Sequence, residues 1–217
     1  MENKYKRVSI IFDMDGTLVD SAKIAIPAFE KICPEFGFPI PEDDTIISAI
    51  GYANPIFYYK IYPNVNKDKI KVFGRKVEQA EREIVKKLNG KMLFDGIVEM
   101  INNLADRNIK MYIASTGDLE HVDDCLKVSK LHSFFDEIHC NKPDKELMVA
   151  NIIKNSPDNK WVMLGDRKKD SRAAKYNNII SVGAAYGYCV PEDYREFDYV
   201  INSPNNLMQL IDDIVLN

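Results

Sequence analysis

The run Val8-Ser9-Ile10-Ile11-Phe12 constrains the fold most: it is short, β-branched and nearly all apolar. Such a run suits a strand buried on both faces of a parallel sheet. Similar runs recur at residues 111–114, 161–164 and 179–182, with weaker candidates at 138–140 and 199–201. Helical patterns lie between them. Ile97, Met100, Ile101 and Leu104 share one face, as do Val122, Cys125, Leu126 and Ser129. Leu147, Ala150 and Ile153 make a third stripe, and Leu207, Leu210, Ile211 and Ile214 a fourth. Strand–helix alternation of this kind predicts a doubly wound, mostly parallel α/β sheet with a Rossmann-like core.

The alternation fails between residues 19 and 89. That stretch has no convincing strand, but Ile70, Phe73, Val77, Ala80, Ile84 and Leu88 fall at helical spacing. Its prolines, Pro27, Pro34, Pro39, Pro41, Pro55 and Pro63, read mostly as punctuation between short helices. The expected organisation is a core of residues 1–18 and 90–217 with a helical subdomain, residues 19–89, inserted after the first strand. Ligands of such sheets sit outside the carboxyl ends of the strands, so a subdomain grown from that end would cover the site.

A chain of 217 residues has room for a core domain and an insert, and its apolar fraction of 46% supports a buried core. The net charge of -4 argues against nucleic acid or an anionic membrane as the main partner. A small anionic substrate is still compatible, because basic groups and a metal reverse the field inside one cleft. The charged N-terminus and the short run after it lack the core of a signal peptide and the length of a membrane span. Cys33, Cys125, Cys140 and Cys189 are scattered without a Cys-x-x-Cys pair, which indicates neither a zinc site nor a disulfide framework. A cytoplasmic protein with reduced thiols is expected. Oligomeric state is not readable from the sequence.

Chemistry gathers at the strand ends. Asp13-Met14-Asp15-Gly16-Thr17 follows the first run directly. Asp and Gly are turn formers, but two carboxylates close together at the end of a buried strand repel unless a cation holds them. Gly165-Asp166-Arg167-Lys168-Lys169-Asp170 follows the run 161–164, so Asp166 emerges at the same sheet edge. Helix capping is the plain alternative for Asp166 and Asp170. Converging carboxylates make a hard, oxygen-rich environment that suits Mg²⁺ better than zinc or copper. Ser115-Thr116-Gly117 offers a hydroxyl and backbone N–H groups at an expected helix start, a phosphate-binding arrangement. Taken alone, Ser115 reads as an N-cap and Lys142, further on, as a surface lysine. Lys142-Pro143 follows 138–140 and is expected to bring an ammonium to the same cleft.

These four elements, in this order, resemble the motifs of the haloacid-dehalogenase-like hydrolases, and the resemblance covers nearly the whole chain. The insert is similar to the family's C1 cap, and phosphoglycolate-phosphatase-like members are the nearest in pattern, with 5'-nucleotidase-like members also in view. The resemblance implies a two-step phosphoryl transfer in which Asp13 is the nucleophile and forms an aspartyl phosphate. Asp15 would protonate the leaving oxygen and then deprotonate the attacking water. It further implies Mg²⁺ on the carboxylates of Asp13 and Asp166 and the backbone carbonyl of Asp15, with Asp170 positioning the metal waters. Ser115 and the N–H groups around Thr116 would hold phosphate oxygens, and Lys142 would offset the charge on Asp13.

Asp15 sets the chain apart from dehalogenases, which need no leaving-group proton. Sugar-phosphate mutases of the family usually carry a histidine soon after the first motif. Here Asp20-Ser21-Ala22-Lys23 stands there, and the three histidines, His121, His132 and His139, lie outside the insert. A phosphatase acting on a small phosphate ester is expected, with a phosphomutase as the alternative. A non-catalytic binding protein is disfavoured by the intact motif set. Phosphoglycolate, a nucleoside monophosphate and a small sugar phosphate all remain open as substrates. Arg167 stands where many relatives have a small residue and is expected to pair with a neighbouring acid. Asn177-Asn178 replaces a small-residue–glycine helix ending, and Asn tolerates the left-handed conformation needed there. The stretch 50–55 resembles the cap loop that sets specificity. Tyr58, Tyr59 and Tyr62 read as cap core or surface, and Lys60 is an open candidate.

Overall fold

The computed structural model describes residue 5 and residues 7–142, 144–155 and 160–216. The strands form where the apolar runs place them: β1 (Val8–Phe12), β2 (Lys110–Ala114), β3 (Glu137–His139), β4 (Lys160–Gly165), β5 (Ile180–Ala184) and β6 (Tyr199–Ile201). Among the described residues they make a six-stranded sheet in the order β3-β2-β1-β4-β5-β6 with every neighbouring pair parallel. The chain winds outward from β1 in one direction and returns to its other side with β4. The switch point of this doubly wound sheet therefore lies between β1 and β4, where such folds place ligands.

The helices are α1 (Ala22–Phe36), α2 (Asp43–Ala49), α3 (Ile56–Ile61), α4 (Lys67–Leu88), α5 (Ile97–Asp106), α6 (Leu119–Val128), α7 (Lys145–Ile153), α8 (Lys168–Tyr176) and α9 (Asn206–Leu216). β1 is buried along its whole length because both faces are covered. Ile10 and Phe12 join a cluster with Ile97, Val122, Leu207 and Ile211 of α5, α6 and α9. Ile11, pointing the other way, packs with Met148 and Val149 of α7 and Ala173 and Ala174 of α8.

Two expectations need correction. The stripe Leu147, Ala150 and Ile153 is not the buried face of α7: Leu147 is 52% exposed, and Lys145, Met148, Val149 and Ile152 face inward. The segment is apolar on both sides, so spacing alone does not select a face; contact with Ile11 and Tyr112 does. The second is partial: Pro39, Pro41, Pro55 and Pro63 do fall between the helices of the insert, but α1 runs through Pro27 and Pro34. Burial of Ile24, Ala28, Phe29 and Ile32 along α1 outweighs the lost backbone bonds. At the end of α8, by contrast, Asn178 takes the left-handed conformation at φ 54°.

Helices α1 to α4 enclose a hydrophobic cluster of their own, centred on Phe29, Tyr58, Tyr62 and Phe73. The Phe73 ring lies 5.6 Å from Phe29, 4.9 Å from Phe38 and 5.9 Å from Tyr58 between centroids. On α4, Ile70, Phe73, Val77 and Ala80 are buried, while Ile84 and Leu88 reach the cluster beneath the sheet. The segments entering and leaving this helical layer run side by side through the Val19–Leu93 bridge, and Asp20 N donates to Met92 O at 2.8 Å. Phe73→Ala should remove about 3–5 kcal/mol of stability, read as a lowered urea midpoint.

Candidate active site

β1 and β4 are paired in register, and the pairing continues one residue further, where Asp13 N donates to Leu164 O at 2.9 Å. Asp13 and Asp166 therefore leave adjacent strands at one edge, 2% and 0% exposed. Asp170 joins them from the first turn of α8, accepting a hydrogen bond from Arg167 N at 2.9 Å. This residue caps its helix and faces the site as well. A Cβ on Gly165 would lie 2.3 Å from Asp170, so glycine is what lets the carboxylate fold back over the strand end. One carboxylate oxygen from each of Asp13, Asp166 and Asp170 lies within 4.8 Å of the others.

Lys145, 1% exposed, is the cation of this cluster, at 2.7 Å from Asp13 Oδ1 and 2.6 Å from Asp170 Oδ1. Lys142, expected in that role, is exposed at the surface. The correction follows from the register of α7: the face that buries Met148 and Val149 carries Lys145 one turn earlier. Burial works against the Lys145 ammonium, but Asp13 and Asp170 raise its affinity for the proton above the ordinary lysine value.

The carboxylates remain short of positive charge. Burial and Asp170 push Asp13 up, against the pull of Lys145 and Lys169. Burial, Asp13 and Asp170 drive Asp166 well above the carboxylate range, with Arg167 and Lys145 opposing. Asp166 Oδ2 is buried and has no hydrogen-bond partner. Gly16, at φ +82°, faces it so closely that a Cβ would sit 2.3 Å away. An orphaned carboxylate oxygen within an all-oxygen, acidic donor set fits a hard divalent cation.

Asp15 turns away from this cluster. Its Oδ1 accepts from Ser21 Oγ at 2.5 Å and pairs with His121 Nε2 at 2.8 Å. Burial raises the Asp15 carboxyl, but His121 and the hydrogen bond from Ser21 outweigh it and hold the group at about 2. His121 sits well above the ordinary imidazole range despite burial, beside Cys125, Asp15 and Glu81. Burial pushes the Cys125 thiol itself up to about 11, so Asp15 is the anion that keeps the ring charged.

Ser115 and Thr116 end β2 at the same edge, 1% and 8% exposed. Ser115 is not an N-cap: α6 starts at Leu119, and Asp118 caps it by accepting from His121 N at 2.9 Å. Ser115 Oγ instead accepts from Gly117 N at 3.0 Å. Thr116 Oγ1 donates to Gly51 O at 2.9 Å and accepts from Lys169 Nζ at 3.0 Å. Lys169 also donates to Gly51 O, so the loop after α2 is tied to the strand ends. Burial and the nearby Lys145 charge hold the Lys169 ammonium below its ordinary value. Arg167 stands 3.4 Å from Asp166 Oδ2 and donates to Ile47 O at 2.7 Å and Tyr188 O at 3.1 Å, joining α2 to the sheet. Tyr58 and Tyr62 are buried in the helical layer, and Lys60 lies over the Tyr52 ring, 4.2 Å from its centroid.

Sequence reasoning missed Lys145, His121, Ser21 and Lys169. Lys169 lies inside a stretch already singled out, and Lys145 follows from the correct face of α7. His121 was legible only through the helix register set by Asp118.

The family model described as haloacid dehalogenase-like hydrolase matches residues 10–184. A pyrophosphatase PpaX of Listeria innocua is 25% identical, the match covering 96% of this chain and 98% of the relative. A phosphoglycolate phosphatase of Synechococcus elongatus is 23% identical over 94% of this chain and 96% of its own. The crystal structure of a predicted phosphoglycolate phosphatase from Haemophilus somnus superposes with a TM-score of 0.84 at 16% identity, covering 97% of this chain and 100% of the other, which shows a shared fold.

Removing the buried cation should separate the two lysines. Lys145→Ala is expected to cost about 3–5 kcal/mol by stranding two carboxylates, whereas Lys142→Ala should stay within about 0.5 kcal/mol of the parent. Urea denaturation of both variants checks this.

Proposed function

The chain belongs to the haloacid dehalogenase-like hydrolase family, and on that premise we propose that it is a Mg²⁺-dependent phosphatase of small-molecule phosphomonoesters, working through an aspartyl phosphate on Asp13. The observation that carries this reading is the division of labour in one turn. Asp13 faces a cluster suited to a cation, while Asp15, two residues on, faces away and is held by His121 and Ser21.

Lys145 pulls Asp13 toward its anionic form, against burial and Asp170, and fixes one of its oxygens at 2.7 Å, leaving the carboxylate oriented for attack. Asp13 attacks phosphorus; its O–P bond forms as the ester P–O bond breaks, and Asp15 delivers a proton to the leaving oxygen. In the resting pair that proton sits on His121, hydrogen-bonded to Asp15. Asp15 next takes a proton from water, whose oxygen bonds to phosphorus as the aspartyl O–P bond breaks. Ser115, Thr116 and Lys169 surround the place where the nonbridging oxygens would rest. Mg²⁺, held by the carboxylates of Asp13 and Asp166 and the backbone carbonyl of Asp15 with Asp170 beside them, would supply the positive charge that lets an anionic nucleophile meet a phosphate dianion. Residues 19–89 would serve as the cap, with the Gly51–Thr116 contact as its closing point.

Phosphate release from p-nitrophenyl phosphate should require Mg²⁺, stop with EDTA, and fall by about 10³-fold or more in Asp13→Asn. Interconversion of sugar-phosphate isomers without net phosphate release would mark a mutase instead.

A further inference from the structure

A cavity of about 290 Å³ opens between the sheet and the helical layer, lined by Asp15 but by none of Asp13, Asp166 and Asp170. On the phosphatase reading it receives the leaving group, because Asp15 is the residue that protonates it. Its walls combine apolar side chains, among them Ile24, Ile56 and Phe57, with the acids Glu81 and Asp118 and the ring of His121. No lysine or arginine is among the residues lining it.

The nearby cations are committed elsewhere. His121 is paired with Asp15 at 2.8 Å. Lys169 is bonded to Thr116 and Gly51, Arg82 to Glu120, and Lys60 lies over the Tyr52 ring. Asp118 already caps α6, but Glu81, on α4, has no hydrogen-bond or ion-pair partner among the described residues. Burial pushes its carboxyl up to about 7, with His121 opposing and Glu78, Asp15 and Asp118 adding to the rise.

A leaving group bearing a carboxylate or a second phosphate would be desolvated against these acids with the one charged ring of the lining, His121, already paired to Asp15, which is repulsive. An ammonium on a short carbon chain would find the reverse: apolar walls for its methylenes and an unpartnered carboxylate for its charge.

We propose that this chamber selects phosphate monoesters of amine-bearing alcohols, setting the ammonium against Glu81, and disfavours esters with anionic leaving groups. The inference rests on the phosphatase reading and sets this chain apart from the pyrophosphatase and phosphoglycolate phosphatase it is similar to.

The test measures kcat/KM for phosphate release, with Mg²⁺ present, from O-phosphoethanolamine, phosphoglycolate, pyrophosphate and the uncharged-leaving-group probe p-nitrophenyl phosphate. Phosphoethanolamine is expected to exceed phosphoglycolate and pyrophosphate by about tenfold or more, and Glu81→Gln to narrow that ratio by about threefold or more. The ratio is taken within each protein, so a change in the amount of folded variant cancels. Equal or better turnover of either anionic substrate by the parent overturns the selection while leaving the phosphatase reading intact, as does an unchanged ratio in Glu81→Gln. Failure to turn over any of the four overturns both.

Discussion

Lys145 lies between Asp13 and Asp170 with both Nζ–Oδ1 distances under 2.8 Å and almost no surface exposed. Much of the site depends on that contact. Three carboxylates within 4.8 Å of one another would not stay ionised in a buried pocket without positive charge. A single lysine supplies part of it and leaves Asp166 Oδ2 without a hydrogen bond, with only the Arg167 charge 3.4 Å away. The protein thus holds a partly neutralised acidic cluster, a state that favours binding a further cation over collapsing onto itself. The same lysine fixes the rotation of α7, whose inward face begins with Lys145 and continues through Met148, Val149 and Ile152. Packing and electrostatics therefore select one helix face together.

The helical layer meets the sheet through apolar side chains of α1 and α4, Ile24, Ile84, Val85 and Leu88, and is tied to this edge by polar contacts as well. Its aromatic cluster around Phe73 is separate from the clusters on either face of the sheet. What joins the two at the site is a set of backbone carbonyls, Ile47 O and Gly51 O, accepting from Arg167, Thr116 and Lys169. Such bonds exchange readily with water.

The centre of the sheet was legible because β1, β2, β4 and β5 are largely buried and read as nearly unbroken apolar runs. The edge strands β3 and β6 are partly exposed and gave weaker signals. The acids at the ends of β1 and β4 were legible because a strand end is a fixed place. Asp13 and Asp166 need only the pairing of β1 with β4 to meet. Lys145 and His121 are different. Each lies on a helix, where the residue that reaches the site depends on rotation and start. The apolar stripe of α6 gave its buried face but not what His121 meets, and that of α7 did not settle a face. In α7 both sides are apolar, so Lys142, adjoining the strand, looked nearer than Lys145. In α6 the start of the helix at Leu119, set by Asp118, decides that His121 faces Asp15. Position along a strand is written in the local sequence; rotation of a helix is written in its partners.

The two ends of the site carry opposite fields. On the proposed phosphoryl side Lys145 and Lys169 stand among the acids, and Asp166 keeps an oxygen that accepts no hydrogen bond. On the other side of Asp15 the lining holds Glu81 and Asp118, with the one charged ring, His121, already paired. A phosphate ester is itself polar in this sense, since its phosphoryl end is always anionic while its alcohol end varies. Recognition of the phosphoryl end can therefore be shared across a family, and discrimination has to come from the second field. Glu81 belongs to α4, in the helical layer, whereas Asp13, Asp166 and Lys145 belong to the sheet and its helices. On the phosphatase reading, chemistry and selectivity would reside on different elements of one chain, so a change on α4 would alter which ester is accepted while leaving the residues proposed to cleave it in place.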